Sequence, residues 1–197
     1  MQLGEKVRKQ GALWGAVNTQ VREDIKNSIT VHSGIAYWVI GAQSCVYSLL
    51  DQGYVAARGE DVMFPSIGVG PTGDGVMAFT LTGADYYPSS AYGKISIGSS
   101  GLLGNKIFIV DIGLSPYDAL TEYQCVSGTC TPKSGLFYEP RWGDYSWAVW
   151  YNGKVYFATE YIQYQNCNDV QYKIDPSCGG TRGPLANWGT SLSSLAT

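Results

Sequence analysis

The sequence has a single histidine, His32, and no run of lysine or arginine. No apolar stretch approaches the about 20 residues that a membrane-spanning helix needs, and the opening residues lack the apolar segment of a secretory signal. A formal net charge of −3 without a basic cluster leaves no face to neutralise a phosphate backbone. We therefore predict no nucleic-acid and no membrane partner, and expect glycans or neutral small molecules as ligands.

The motifs of two large enzyme classes are also absent. No Gly-x-Ser-x-Gly elbow accompanies His32, and its position in "TVHSGIA" predicts a histidine at the start of a strand, bonded to the backbone. No glycine-rich loop precedes a helix, so a nucleotide cofactor is not expected. Calcium would have only the isolated carboxylates of Asp74 or Asp111, and no EF-hand spacing supports it. The sequence predicts no cofactor.

The residues that are abundant favour strands. The chain of 197 residues is 45% hydrophobic, which is enough for one buried core, and its 15 tyrosines and 6 tryptophans stand beside 25 glycines. Rings on pleated strands, separated by glycine turns, are typical of all-β proteins. We predict one all-β domain over residues 1–197, in which 1–12 form an N-terminal extension.

Alternating apolar residues bounded by turn residues predict nine strands and no convincing helix. Two tight hairpin turns stand out, at Gly70–Gly75 and at Tyr151–Gly153, because glycine and asparagine accept positive φ there. The nine predicted strands are Leu13–Val21, Ile35–Ile40, Ser66–Val69, Gly75–Leu81, Tyr92–Ile97, Ile107–Val110, Asp144–Trp150, Lys154–Ile162 and Trp188–Leu192.

A faint internal repeat relates these strands. The hairpin "PSIGVGPTGDGVMAFTLTG" aligns with "DYSWAVWYNGKVYFATEYI", while "LWGAVNTQV" aligns with "NWGTSLSSL" as a single outer strand. Recurrence of one supersecondary unit is typical of the four-stranded antiparallel blades of a β-propeller. Nine strands predict a partial propeller of about two to three blades.

The runs "FPSIGVGPTGDGVMAFTL", "RWGDYSWAVWYNGKVYFATEYI" and "GGTRGPLANWGTSLSSL" resemble the closing portion of secreted bacterial sialidase-like β-propeller proteins. The resemblance extends from Leu13 onward, and "RWGDYS" with "ANWGT" is its most specific part. Turns around Asp74 and Asn152 resemble worn Asp-boxes, which stabilise blades and are not catalytic. The resemblance also implies that the first strand of each blade lines a central channel.

The resemblance places candidate catalytic residues in the hairpin that follows Arg141. Glycosidases use two carboxylic acids, and sialidases use a tyrosine nucleophile assisted by a glutamate, with arginines on the substrate carboxylate. We expect Asp144 and Glu160 as acid and base, Tyr145 as nucleophile and Arg141 as the group that orients an anion. The alternative is structural, with Trp142 and Trp147 as core rings, Asp144 as a turn cap or acceptor of backbone amides, and Arg141 paired with Glu139 or Asp144. The arginine motif of true sialidases is missing.

Four further residues are predicted to bind substrate: Trp142, Tyr86, Tyr87 and Arg58. Tyr86 and Tyr87 lie in "GADYYPSSAY", which could form an aromatic platform for a sugar, although Pro88 also fits an ordered loop. Arg58 and Arg182 are the other loop arginines that could reach an anionic ligand.

The 5 cysteines indicate an oxidising compartment. Cys125 and Cys130 bracket a short turn, and Cys167 and Cys178 bracket a loop, so two local disulfides are expected and the location is extracellular or periplasmic. Free thiols are the alternative. Cys45 is expected to be a small buried residue.

Two functions therefore remain open. One is a sialidase-like propeller hydrolase that acts on glycosides or related esters, and the other is a non-catalytic propeller segment that binds glycans or proteins. Strand edges at Leu13–Val21 and Trp188–Leu192 would be open in such a fragment, which predicts a homo-oligomer.

Overall fold

A computed structural model describes residues 2–3, 11–25, 28–43, 46–99, 101–117, 123–126, 129–132, 142–143, 146–165, 171, 174–175 and 187–197. The structure is all-β, and its sheets are antiparallel. Its strands are β1 (Gln2–Leu3), β2 (Gly11–Ile25), β3 (Ser28–Gln43), β4 (Val46–Val55), β5 (Glu60–Val69), β6 (Asp74–Gly83), β7 (Ser89–Ser96), β8 (Phe108–Asp111), β9 (Tyr123–Val126), β10 (Thr129–Pro132), β11 (Trp147–Tyr151), β12 (Lys154–Ile162) and β13 (Trp188–Ala196).

The strands form three larger sheets and one small hairpin. The first sheet has the order β1-β2-β3-β4, the second β5-β6-β7-β8 and the third β11-β12-β13, while β9 and β10 pair with each other. Each larger sheet is thus a meander in which sequence neighbours are paired. The predicted all-β class with antiparallel sheets is confirmed, although the described third sheet has three strands and not the four predicted for a blade.

Both predicted hairpin turns are present. Asn152 and Gly153 have φ angles of 48° and 80°, the two positive values that a two-residue turn of type I′ requires. In the other hairpin Gly73 has a φ of 89°, and the Gly70 N–H donates to the Asp74 carbonyl at 2.8 Å. These connections depend on adjacent residues only, which is why the sequence predicts them.

The second sheet is buried on both faces, and β6 shows why. Successive side chains of a strand point to opposite faces, so Met77 and Phe79 face one way and Val76 and Ala78 the other. Met77 and Phe79 belong to a first core that includes Ile35 and other side chains of the first sheet. Val76 and Ala78 belong to a second core with Ala148, Val155 and Phe157 of the third sheet. The three sheets therefore stack face to face, with the second in the middle.

A glycine allows the second and third sheets to approach closely. A Cβ atom built on Gly68 would lie 2.6 Å from Val155 Cγ1 and 3.1 Å from the Val149 nitrogen. Strands of the second and third sheets are in contact across the stack, where β5 packs on β11, β6 and β7 on β12, and β8 on β13. Strand β5 also packs on β2 and β3 of the first sheet, so it contacts both neighbouring sheets.

Nine of the strands were predictable from the sequence, and all nine overlap an observed strand. The prediction missed β1, β4, β9 and β10. Strand β4 is largely exposed on both faces, so it lacks the apolar–polar alternation that marks a half-buried strand, and its Asp51-Gln52-Gly53 segment has the composition of a turn.

The pairing of β2 corrects two expectations. "LWGAVNTQV" is expected to be an outer strand equivalent to "NWGTSLSSL", but β2 is an inner strand between β1 and β3, whereas β13 ends its sheet. The predicted open edge at Leu13–Val21 is partly covered, because β1 pairs with Leu13 and Trp14. Gly11 and Ala12 belong to β2, so the strand begins inside the predicted extension 1–12. The expected edge at Trp188–Leu192 does end its sheet.

Candidate functional site: a cleft between three tryptophans

A cleft of about 460 Å³ opens between β2 and β3 of the first sheet, β5 of the second and the start of β11 in the third. Its walls carry Trp14 of β2, Trp38 of β3 and Trp147 of β11, and we call it the three-tryptophan cleft. Ser66 of β5 and Ser146 add hydroxyl groups, and every described residue along the cleft is uncharged. The volume lies within the range of small-molecule sites, about 300–1,000 Å³.

The three indole rings differ in exposure. Trp14 is only 7% exposed and packs in the first core, so it forms a fixed wall. Trp38 and Trp147 are 38% and 61% exposed. Exposed indoles offer a flat apolar face together with an N–H donor, a combination that suits ligands with both apolar and polar edges.

A β-bulge shapes the wall that β5 contributes. The pairing of β5 with β6 shifts between Met63 and Ser66, and Phe64 has a φ of 57°. Two neighbours bind the exposed backbone of Phe64: its N–H donates to Asn18 Oδ1 at 2.7 Å, and its carbonyl accepts from Ser146 Oγ at 2.8 Å. Bulges re-aim adjacent side chains, and this one is held by contacts from two other sheets. The cleft wall is thereby fixed in position.

Glu160 lies on the face of the third sheet that carries Trp147. Trp147 pairs with Ala158, and Glu160 is two residues further along β12, so the alternation of side chains puts all three on one face. Its Oε2 accepts a hydrogen bond from the Gly143 N–H at 2.8 Å. The prediction had grouped Glu160 with Arg141, Asp144 and Tyr145, which lie outside the described residues.

Trp142 is half-buried and Trp147 is 61% exposed, so the structural alternative is wrong in making Trp147 a core ring. The ring of Trp142 lies 5.4 Å from that of Tyr117, at an angle of 58°. The indole N–H is buried and has no acceptor within the described ranges. Trp142 does not line the three-tryptophan cleft.

The remaining predicted binding residues lie elsewhere. Arg58 is in the turn before β5, where its Nε lies 3.5 Å from Glu23 Oε1. Tyr86 and Tyr87 follow β6; Tyr86 packs against the first core, and only Tyr87 is exposed. The structure does not bring these residues to the cleft formed by Trp14, Trp38 and Trp147.

His32 has different neighbours from those expected. It lies inside β3 with its Nδ1 3.7 Å from Asp61 Oδ1, and its buried Nε2 has no partner among the residues that the structure describes. The expected bond to the backbone is therefore not found there. Ser33, the next residue, donates its N–H to Asp61 Oδ1 at 2.5 Å.

Asp74 holds the turn between β5 and β6. Its two carboxylate oxygens accept hydrogen bonds from Ser96 Oγ at 2.7 Å and from Thr72 Oγ1 at 2.9 Å. These two bonds, first that from Ser96, hold the pKa of Asp74 below its ordinary value. The carboxylate thus has the structural role that the sequence predicts. Within the described part of the chain no group of three or more histidine, cysteine, aspartate or glutamate side chains could hold a metal ion.

The cysteines are described only in part. Cys125 in β9 and Cys130 in β10 are directly opposite each other in the hairpin register. Cys45, Cys167 and Cys178 lie outside the described residues. Both disulfides remain predictions.

Comparison of the chain with protein-family models, with curated proteins and with solved structures found no match. The resemblance to sialidase-like propellers therefore remains a prediction from the sequence. Over the described residues no helix is long and apolar enough to cross a membrane. The site has to be interpreted from its own geometry.

Sequence reasoning missed Trp14, Trp38, Trp147, Ser66 and Ser146 as members of the site. Alternation does place Trp38 on the opposite face of β3 from the buried Tyr37, so an exposed indole was foreseeable. The proximity of Trp38 to Ser66 could not be foreseen, because it depends on how two separate sheets stack.

Proposed function

We propose that this protein binds a neutral glycan in the three-tryptophan cleft. The observation that carries the proposal is the pair of exposed indoles, Trp38 and Trp147, on either side of uncharged walls that contain the Ser66 and Ser146 hydroxyls. Pyranose rings have an apolar C–H face and a polar rim, so they stack on an indole and bond to hydroxyl groups at their edge. An anionic or cationic ligand would find no countercharge among the described residues of these walls.

The strand edges add hydrogen-bonding groups. Strands β5 and β11 pair on one side only, with β6 and β12, so their other edges are free of sheet partners in the described structure. Unpaired backbone N–H and C=O groups at such an edge can bond to sugar hydroxyls. This feature favours a ligand that presents many hydroxyl groups.

We infer the architecture of a partial propeller. The three face-to-face sheets are the blades, and the alignment of β5 with β11 and of β6 with β12 supports a radial arrangement in which first strands face a channel. In this arrangement the cleft lies on the channel side. A secreted location and a second copy of the chain as partner belong to the same proposal.

Titration calorimetry with cellohexaose and chitohexaose tests the binding function. We expect one of these neutral chains to bind at up to millimolar concentration, and Trp38→Ala to weaken binding about tenfold, the value of one lost stacking contact. Tyr54→Ala serves as the matched control, because Tyr54 is an exposed ring on the first sheet that does not line the cleft. Absence of binding by both sugars, or equal loss in Tyr54→Ala, contradicts the proposal.

A hydrolase is the second candidate, and the position of Glu160 on the Trp147 face favours it. A carboxylate on the same sheet face as Trp147 could serve as an acid or base for a sugar bound at that indole, provided that a second group such as Asp144 or Tyr145 is near. Chromogenic glycosides and esters test it. Turnover that falls at least a hundredfold in Glu160→Gln, with glycan binding retained, would establish hydrolysis; binding without turnover leaves the protein a glycan-binding module.

A further inference from the structure

Trp147 borders a second hollow besides the three-tryptophan cleft. This hollow, of about 380 Å³, lies on the outer face of the third sheet, the face turned away from the second sheet. Its walls include Val149, Tyr156 and Leu192. The exposed indole of Trp147 therefore lines both hollows and lies between them.

The strand register arranges this outer face in rows. Trp147 pairs with Ala158, Val149 with Tyr156 and Tyr151 with Lys154, so Trp147, Tyr156 and Tyr151 share one face. Tyr156 and Tyr151 are 43% and 70% exposed. From Trp147 to Tyr151 the strand advances four residues, or about 13 Å. We call these three side chains the aromatic row.

The composition of this face differs from that of the faces that bind another sheet. The contact between the second and third sheets buries small and aliphatic side chains such as Ala78 and Val155 together with the ring of Phe157, and Gly68 allows close approach. The outer face instead presents three projecting rings. Flat packing of a further sheet against such rings would leave gaps, whereas a narrow chain can lie along them.

The charge of the outer face also limits its ligand. The ionisable groups on the described strands of this face are Lys154 and Glu160, besides the tyrosine hydroxyls, and the two charges are opposite in sign. Thr190, which pairs with Glu160, and Ser194, which pairs with Tyr156, add hydroxyl groups. A neutral ligand with many hydroxyl groups complements this surface, and a strongly charged one does not.

We infer that the aromatic row extends the three-tryptophan cleft, so that the ligand is a linear neutral polysaccharide that continues from the cleft across Trp147 onto Tyr156 and Tyr151. The inference rests on the proposed glycan-binding function. Linear chains of equatorially linked pyranoses are ribbons with apolar faces, and successive rings stack on successive side chains. The affinity therefore increases with the number of sugar units in the ligand, including units that extend past the cleft.

Titration of the full chain with a disaccharide and a hexasaccharide of the same sugar tests this extension; the probes are cellobiose with cellohexaose and chitobiose with chitohexaose. We expect the hexasaccharide to bind at least tenfold more tightly, and Tyr156→Ala or Tyr151→Ala to reduce this ratio severalfold. Tyr54→Ala is the control. Its ring is as exposed as that of Tyr151 but belongs to the first sheet, so the ratio should stay unchanged.

The outcomes separate this inference from the function on which it rests. If disaccharide and hexasaccharide bind equally and Trp38→Ala weakens both, the cleft binds glycan and the extension is wrong. If neither sugar binds, both proposals are wrong. Light scattering tests whether a second copy of the protein covers the aromatic row instead. A dimer that Tyr156→Asp converts to a monomer, together with a sugar affinity that does not depend on the number of sugar units, would overturn the inference.

Discussion

The side-chain hydroxyls of Ser90 and Thr159 bond to each other inside the contact between the second and third sheets. Both residues are almost fully buried, and each supplies the partner that the other needs. We predict that Thr159→Val destabilises the protein by about 1–3 kcal/mol, because the Ser90 hydroxyl is left buried without a partner.

The double variant Ser90→Ala with Thr159→Val tests this explanation. Removing both hydroxyls leaves no unsatisfied group, so most of the lost stability should return, as a double-mutant cycle in urea would show. Additive losses would mean that the two hydroxyls act independently.

Gly68 limits how closely the second and third sheets can pack. Gly68→Ala would place its methyl group against Val155 and against the backbone near Val149, and the backbone cannot move without shifting β11. We expect a loss of about 1–3 kcal/mol in unfolding free energy. Gly15→Ala is the matched control, because a Cβ atom at Gly15 would meet nothing within 4 Å and the φ of Gly15 is not positive. Gly98→Ala would not serve, since Gly98 has a φ of 82°. Equal losses in Gly68→Ala and Gly15→Ala would contradict the packing argument.

Asp74 should make stability depend on pH in the acid range. Its folded-state pKa is lowered, so its contribution to stability is complete above its ordinary pKa of about 3.8 and is lost as the pH falls through the folded value. Asp74→Asn should therefore destabilise the protein at neutral pH, by less than about 1 kcal/mol because water screens this exposed group. Thermal melts at neutral pH and near pH 2 check this prediction, since the two proteins should differ less at the lower pH.

Cys125 and Cys130 should form a disulfide, since they face each other in the β9–β10 register. In the loop-entropy view such a short loop contributes about 2–3 kcal/mol at most. Mass analysis after alkylation without reductant should show this pair protected, and Cys125→Ser with Cys130→Ser should lower the melting temperature. Alkylation of all 5 cysteines in the unfolded, unreduced chain would exclude both predicted disulfides.

The fold was predictable where neighbouring residues determine it. The Asn152–Gly153 turn follows from two residue types that accept positive φ, and the strand that contains Met77 and Phe79 follows from apolar residues bounded by turn residues. Strand β4 was not predictable, because its exposed apolar side chains follow no alternation. The cleft could not be predicted from the sequence, because Trp38 and Ser66 are far apart in the chain and only the stacking of two sheets brings them together.

The position of the second sheet between the other two has a consequence for local unfolding. The second core joins the third sheet to the rest, whereas the first core holds the first and second sheets together without it. The third sheet can therefore detach as a separate cooperative unit at a lower free energy than global unfolding requires. Detachment would remove Trp147 from the cleft, so the proposed ligand binding would be thermodynamically linked to attachment of this sheet. A bound sugar should slow amide hydrogen exchange in β12 and β13 more than in β3.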